Sequence, residues 1–191
     1  SVFSKLSFWG NTPILNNSNT NVLVFNGISW DNIGNVFQTS ETINYSDFST
    51  NTTGNAFIIY STETSFNIRR VKVMKLQGNI WKPLGDTTNV KNFRIYSSLA
   101  INKAGELFMA YCPGKLIKHN GYNWVNIGSN TFSNSHGNIS LDIDSVGKPF
   151  IAIHVSDYKI NVKSLNGIWI DVGGEVGSTN YYNPISFKLN K

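Results

Sequence analysis

The sequence predicts an all-β fold, a β-propeller of four-stranded antiparallel blades with about four blades in the chain, and three observations predict it. A pentapeptide of the form Trp-x-x-(Ile/Leu/Val)-Gly occurs four times, at Trp30–Gly34, Trp81–Gly85, Trp124–Gly128 and Trp169–Gly173, with the tryptophans 51, 43 and 45 residues apart. A second element, (Asn/Asp)-x-x-Gly-x-x-Phe, keeps step with the first at Asn51–Phe57, Asn102–Phe108 and Asp144–Phe150, with a degenerate copy at Gly10–Ile14. Aromatic residues make up 13% of the 191 residues and charged residues only 14%, a balance suited to strands and turns and unsuited to disorder. Self-similarity at a fixed period of roughly 40–50 residues marks stacked supersecondary units.

Each unit divides into four strands. Strand A precedes the Asn/Asp turn and alternates in polarity, as in Ser98–Asn102 and Ser140–Asp144. The turn follows because an Asx side chain bonds nearby backbone and Gly accepts positive φ. Strand B is the Phe-led run, Phe57–Tyr60, Phe108–Tyr111 and Phe150–Ile153. Strand C is Val71–Leu76, Leu116–Lys118 and Lys159–Leu165, and a hairpin turn such as Asn26-Gly27, Asn120-Gly121 or Asn166-Gly167 leads to strand D with its tryptophan. Recurring tryptophans at fixed positions predict core residues that fill the wedge between neighbouring sheets. The chain reads as one repeat array over residues 1–191, with repeats near 1–40, 41–91, 92–133 and 134–180, and 181–191 opening a further strand. Lys5–Phe8 and Ile185–Asn190 both read as strand A, so a simple four-bladed ring has one strand too many. The expectation is further blades, or self-association that completes the ring and covers an otherwise sticky edge.

The Trp-x-x-(Val/Ile)-Gly element, the Ser-Leu strand after it, and Lys148-Pro149-Phe150-Ile151-Ala152 resemble the blade repeat of secreted and surface β-propellers of bacteria. The layout is also similar to that of tachylectin-type and tectonin-type propeller lectins. The resemblance spans nearly the whole chain and implies fold more than function, because propellers host lectins, scaffolds and hydrolases alike. The Ser-x-Asp-x-Gly-x-x-Trp box of sialidase-like propellers is absent from the sequence.

In such a blade the D-to-A links and B-to-C loops share one face, and here that face carries the variation. Its links contain Tyr45, Tyr96, His136, Tyr181 and Tyr182, and its loops contain Arg69, Arg70, Asp157 and Tyr158, the candidate ligand-binding residues. Variable loops on a constant scaffold are the usual geometry of a binding surface, and tyrosine offers a flat apolar face with one hydroxyl at low entropic cost. The same aromatics would serve equally to pack the links.

Catalytic signals are weak. Asp142 and Asp144 lie two apart on one strand, but a glycosidase needs carboxylates at set separations, and Asp144 already holds the turn position of Asn51 and Asn102. Asp142-x-Asp144-x-x-Gly147 has a loose likeness to a calcium loop but occurs in one repeat only, calcium takes six to eight oxygens, and the sequence does not separate it from an ordinary turn; His119, His136 and His154 fall at different repeat positions. Cys112 is the single cysteine, so no internal disulfide and no zinc set arise. The expectation is a chain with no catalytic residues, metal or cofactor. The net charge of +5 is spread from Lys5 to Lys191, not gathered as a nucleic-acid footprint, and no apolar run reaches the 18 residues of a membrane helix. The expected function is a non-catalytic extracellular or cell-surface module that binds a glycan or a partner protein. The alternatives are a structural or assembly propeller domain of a larger surface protein, and a propeller glycoside hydrolase fragment.

Overall fold

The computed structural model describes residues 4–17, 21–35, 42–51, 53–63, 68–85, 88–91, 96–128, 132–133, 137–155, 159–177 and 185–190. Seventeen strands and no helix are present among them. The chain divides into two compact units, Ser1–Phe93 and Arg94–Lys191.

The first unit holds two sheets. One is β1 (Ser4–Trp9), β2 (Thr12–Asn17), β3 (Asn21–Phe25) and β4 (Trp30–Asn35), hydrogen-bonded in that order. The other is β5 (Thr42–Thr50), β6 (Ala56–Glu63), β7 (Ile68–Gln77) and β8 (Ile80–Pro83) in the same meander, with β9 (Thr88–Lys91) added to the free half of β7. Between the two sheets lies an apolar core that includes Ile14, Val22, Phe48, Ile58, Leu76 and Trp81. The pleat explains the membership. Ile14 is opposite Ser7 and Val24, so these three share the face of the first sheet that meets the second. Trp81 closes this core from strand D: it is 5% exposed, its ring lies edge-on to Phe48 at 6.4 Å, and Nε1 donates to the Ile33 carbonyl at 2.8 Å.

The second unit repeats the plan. One sheet is β10 (Ser97–Ile101), β11 (Leu107–Tyr111), β12 (Lys115–His119) and β13 (Trp124–Asn126). The other is β14 (Ile139–Ile143), β15 (Pro149–His154), β16 (Ile160–Asn166) and β17 (Ile168–Asp171). Leu99, Met109, Ile139, Leu141 and Ile151 are all but fully buried. The Leu141 amide donates to Ser98 Oγ at 3.1 Å, which ties the inner strands of the two sheets. Trp169 lies edge-on to Phe132 at 5.3 Å. Residues 185–190 run beside β14: the Phe187 amide donates to Ser140 Oγ at 3.2 Å, and the Leu189 amide donates to Asp142 Oδ2 at 2.9 Å.

Three expectations are corrected. Trp30 is not core: it is 42% exposed, whereas Trp81, at the same repeat position, packs into the core between the first two sheets. Arg69 and Arg70 are strand, not loop, because strand C begins at Ile68 and not at Val71, held there by pairing with β6 on one side and β9 on the other. Tyr45 likewise lies within β5, opposite Ser61, and not in a link. The strand β9 forms from the chain after β8, and in the fourth sheet Val176 pairs in the same way with Ile160 at the start of β16.

Candidate binding face

The two ends of each sheet differ in chemistry, and the difference starts from turn residues. At the A-to-B end the Asx side chains are consumed by local bonds. Asn51 Oδ1 accepts from the Asn55 amide at 2.8 Å, Asn102 Oδ1 from the Glu106 amide at 2.9 Å, and Asp144 Oδ1 from the Val146 and Lys148 amides at 3.0 and 2.8 Å. The C-to-D turns do the same with Asn26 and Asn120, whose Oδ1 atoms accept from the Ser29 and Asn123 amides, each at 2.8 Å. A carboxylate or amide so engaged has a full structural role.

Acids elsewhere are tied as well. Asp142 is 2% exposed, and its two oxygens accept from the Ile143 and Leu189 amides, both at 2.9 Å. Buried Asp47 accepts from Lys5 Nζ and from the Phe48 amide. Lys118 Nζ, 2.6 Å from Glu106 Oε1, and the Asn102 amide hold the Glu106 carboxyl below its usual range. Lys163 does the same to Asp171. A general acid for glycoside cleavage needs a raised pKa, and the shifts of Glu106 and Asp171 run the other way. Asp144 Oδ1 is engaged in its turn, and among the described residues no group of three or more His, Cys, Asp or Glu side chains gathers.

The opposite end, where β6 passes toward β7 and β11 toward β12, carries the sequence-derived candidates. Arg70 is exposed on β7 and stands opposite Thr62 of β6 and Asn89 of β9. Arg69 is its neighbour on the same strand, and Tyr45 enters from β5. The pairing of β5, β6, β7 and β9 therefore gathers Tyr45, Arg69 and Arg70 at one end of one sheet. In the second unit Tyr96 is 8% exposed at the entry to β10, where its carbonyl accepts from the Cys112 amide at 3.0 Å. Its burial makes it a packing residue of the link. His136, Asp157, Tyr158, Tyr181 and Tyr182 lie outside the described residues.

Sequence reasoning passed over Tyr111, half-buried at the same end of β11, whose phenol is pushed up by burial. The signal for it was the match of Phe108–Tyr111 to Phe57–Tyr60. Cys112, the next residue, is fully enclosed: Sγ donates to the Gly137 carbonyl at 3.2 Å, and burial raises the thiol pKa to about 12. His154 is fully buried and His119 partly so, and burial lowers both imidazole pKa values.

No protein-family model matches the sequence, and no curated protein matches it. Solved structures do. A variant of Aleuria aurantia lectin in complex with Fucα1-6GlcNAc is similar with a TM-score of 0.64 at 12% identity, over 93% of this chain and 62% of that one. A complex of the lectin variant with α-methyl-L-fucoside gives a TM-score of 0.62 at 12% identity, over 93% and 60%. The crystal structure of AofleA from Arthrobotrys oligospora gives 0.56 at 15% identity, over 96% and 61%. This chain thus spans about three-fifths of the length of the chains it resembles. At such identities the likeness is one of fold, and the fold of this chain, four antiparallel four-stranded sheets in series, is that of the β-propeller lectins.

Proposed function

We propose that this chain is a non-catalytic binding module, extracellular or cell-surface, that recognises a glycan through the face built from its D-to-A links and B-to-C loops. The observation that carries the reading is the fold: nearly the whole chain follows the backbone of lectins solved with fucosides bound. The chemistry of the loop end supports it. Tyr45, Arg69 and Arg70 lie toward one end of the β5–β9 sheet, and Tyr181, Tyr182, Tyr158, Asp157 and His136 fall by sequence in links and loops of the other repeats. Sugars are bound by flat aromatic faces that cover C–H surfaces and by charged or amide groups that bond hydroxyls, and this set supplies both kinds. The acids of the opposite end are engaged in turns, ion pairs and amide bonds, which supports binding without hydrolysis.

A glycan array that includes fucosylated oligosaccharides tests the proposal. The wild-type chain should be retained by a defined set of glycans. The variants Arg70→Ala and Tyr182→Ala should lose retention about tenfold or more while keeping the native circular-dichroism spectrum. Capture of a specific protein by a folded chain that no glycan retains would assign the face to a protein ligand instead.

A further inference from the structure

Inside each unit, adjoining sheets meet by one rule. The tryptophan of strand D in the later sheet lies against the glycine that ends the Trp-x-x-(Ile/Val)-Gly motif of the earlier sheet. Trp81 donates to the carbonyl of Ile33, and a Cβ placed on Gly34 would lie 3.2 Å from its ring and 2.5 Å from the Asn79 carbonyl oxygen. Trp169 repeats the arrangement: a Cβ on Gly128 would lie 3.3 Å from Trp169 Nε1 and 3.3 Å from Leu165. The motif therefore encodes an indole and, four residues on, a site for the next indole.

Trp30 and Gly173, in the first and last copies of the motif, show no such match among the described residues. Trp30 is exposed, and it is not isolated. Cross-strand partners share a face, and the register places Leu6 opposite Leu15, Leu15 opposite Leu23, Phe8 opposite Pro13 and Phe25 opposite Trp30. Leu6, Phe8, Leu15, Leu23, Phe25 and Trp30 thus form a continuous apolar face on the side of the first sheet turned away from Ile14. Leu6 and Phe8 are 57% and 56% exposed. At the other extreme, a Cβ on Gly173 would meet nothing within 4 Å, and Ile170 and Val172 beside it are exposed.

We propose that these two surfaces bind each other between copies: the β1–β4 face of one chain docks on the β14–β17 sheet of a second, with Trp30 against Gly173. The contact continues an interface that the chain already uses twice within itself. It is heterologous, since an indole face meets a glycine face, so successive copies add head to tail and either close a ring or extend. Docking has an internal competitor. The Phe187 amide bonds Ser140 Oγ as the Leu141 amide bonds Ser98 Oγ, and Ser98 and Ser140 each stand four residues before the turn Asx. Residues 185–190 therefore hold the place that β1 of an incoming chain takes, and association displaces them.

The test is sedimentation velocity on the full chain across a wide concentration range. The wild type should associate reversibly. Trp30→Arg removes the indole. Gly173→Asn fills the glycine site with a side chain that tolerates left-handed backbone. Each variant alone should sediment as a monomer, with association weakened at least about tenfold, yet an equimolar mixture of the two should form dimers and nothing larger, because one intact contact remains. Phe187→Pro, which removes the amide that anchors the competing segment, should strengthen association. Should Trp30→Arg fold poorly, Phe8→Asp probes the same face and should act alike. A strictly monomeric wild type, dimers that survive Gly173→Asn, or a mixture that fails to pair would each overturn the proposal.

Discussion

The indole nitrogen of Trp81 donates to the backbone carbonyl of Ile33 across 2.8 Å, from one sheet to the next. This bond is paired with close packing at Gly34, so the junction combines a satisfied buried donor with a large apolar contact. Trp81→Phe should cost about 1 kcal/mol, the net worth of one buried hydrogen bond, and Trp81→Ala about 3–5 kcal/mol because a cavity remains. Trp30→Ala, at the same repeat position but exposed, should cost less than about 1 kcal/mol in the monomer. Urea denaturation of the three variants measures the contrast. Equal losses at Trp30 and Trp81 would contradict the junction described.

Asp142 is a structural carboxylate. Each of its oxygens accepts a backbone amide, one of them from Leu189. Asp142→Asn turns one acceptor into a donor that faces another donor, and it should lower stability by about 1–3 kcal/mol. Amide exchange at Leu189 should accelerate at the same time. No chromogenic glycoside should be hydrolysed by either form, and hydrolysis by the wild type that vanishes in Asp142→Asn would reverse this assignment.

Acid should destabilise the fold through its histidines. Burial holds the imidazoles of His154 and His119 below the ordinary value of 6.5, so the folded chain resists protonation more than the unfolded chain does. Between the two pKa values the unfolded state carries more protons, so stability rises with pH there. The contribution is complete above about pH 6.5 and shrinks as pH falls through the folded values. Denaturation midpoints measured from pH 7.5 to 5 should decline, and His154→Gln should flatten the slope. A midpoint independent of pH, or one that climbs on acidification, would contradict it.

The thiol of Cys112 should be inert. Enclosed beside Gly137 and with its pKa raised to about 12, it presents almost no thiolate at neutral pH. Ellman-type reagents should label the native chain at pH 8 no faster than the chain unfolds, and should label it at once in denaturant. Rapid native labelling would place the thiol outside the core.

Much of the fold was legible because each blade is specified locally. Asn51, Asn102 and Asp144 announce the A-to-B turns by a physical need for an acceptor side chain and a left-handed glycine. The Phe-led runs after them are buried strands B. Trp81 was legible as core for the same reason that Trp30 was misjudged. A repeat shows that an indole belongs in a wedge, but not how far each copy of it is covered. Strand β9 and the early start of β7 at Ile68 escaped because their pairing is with a link, whose sequence carries no periodic signal. Within the candidate site, Tyr96 reads identically as a ligand contact or a packing residue, and only its burial separates the two.

The most direct test of glycan recognition without catalysis is ligand-observed NMR on the folded chain with the oligosaccharides retained on the array. Saturation transfer from protein to sugar protons, with the anomeric signals unchanged over many hours, is the predicted result. An absence of transfer from every glycan, or anomeric signals that convert to those of a cleaved sugar, would contradict it.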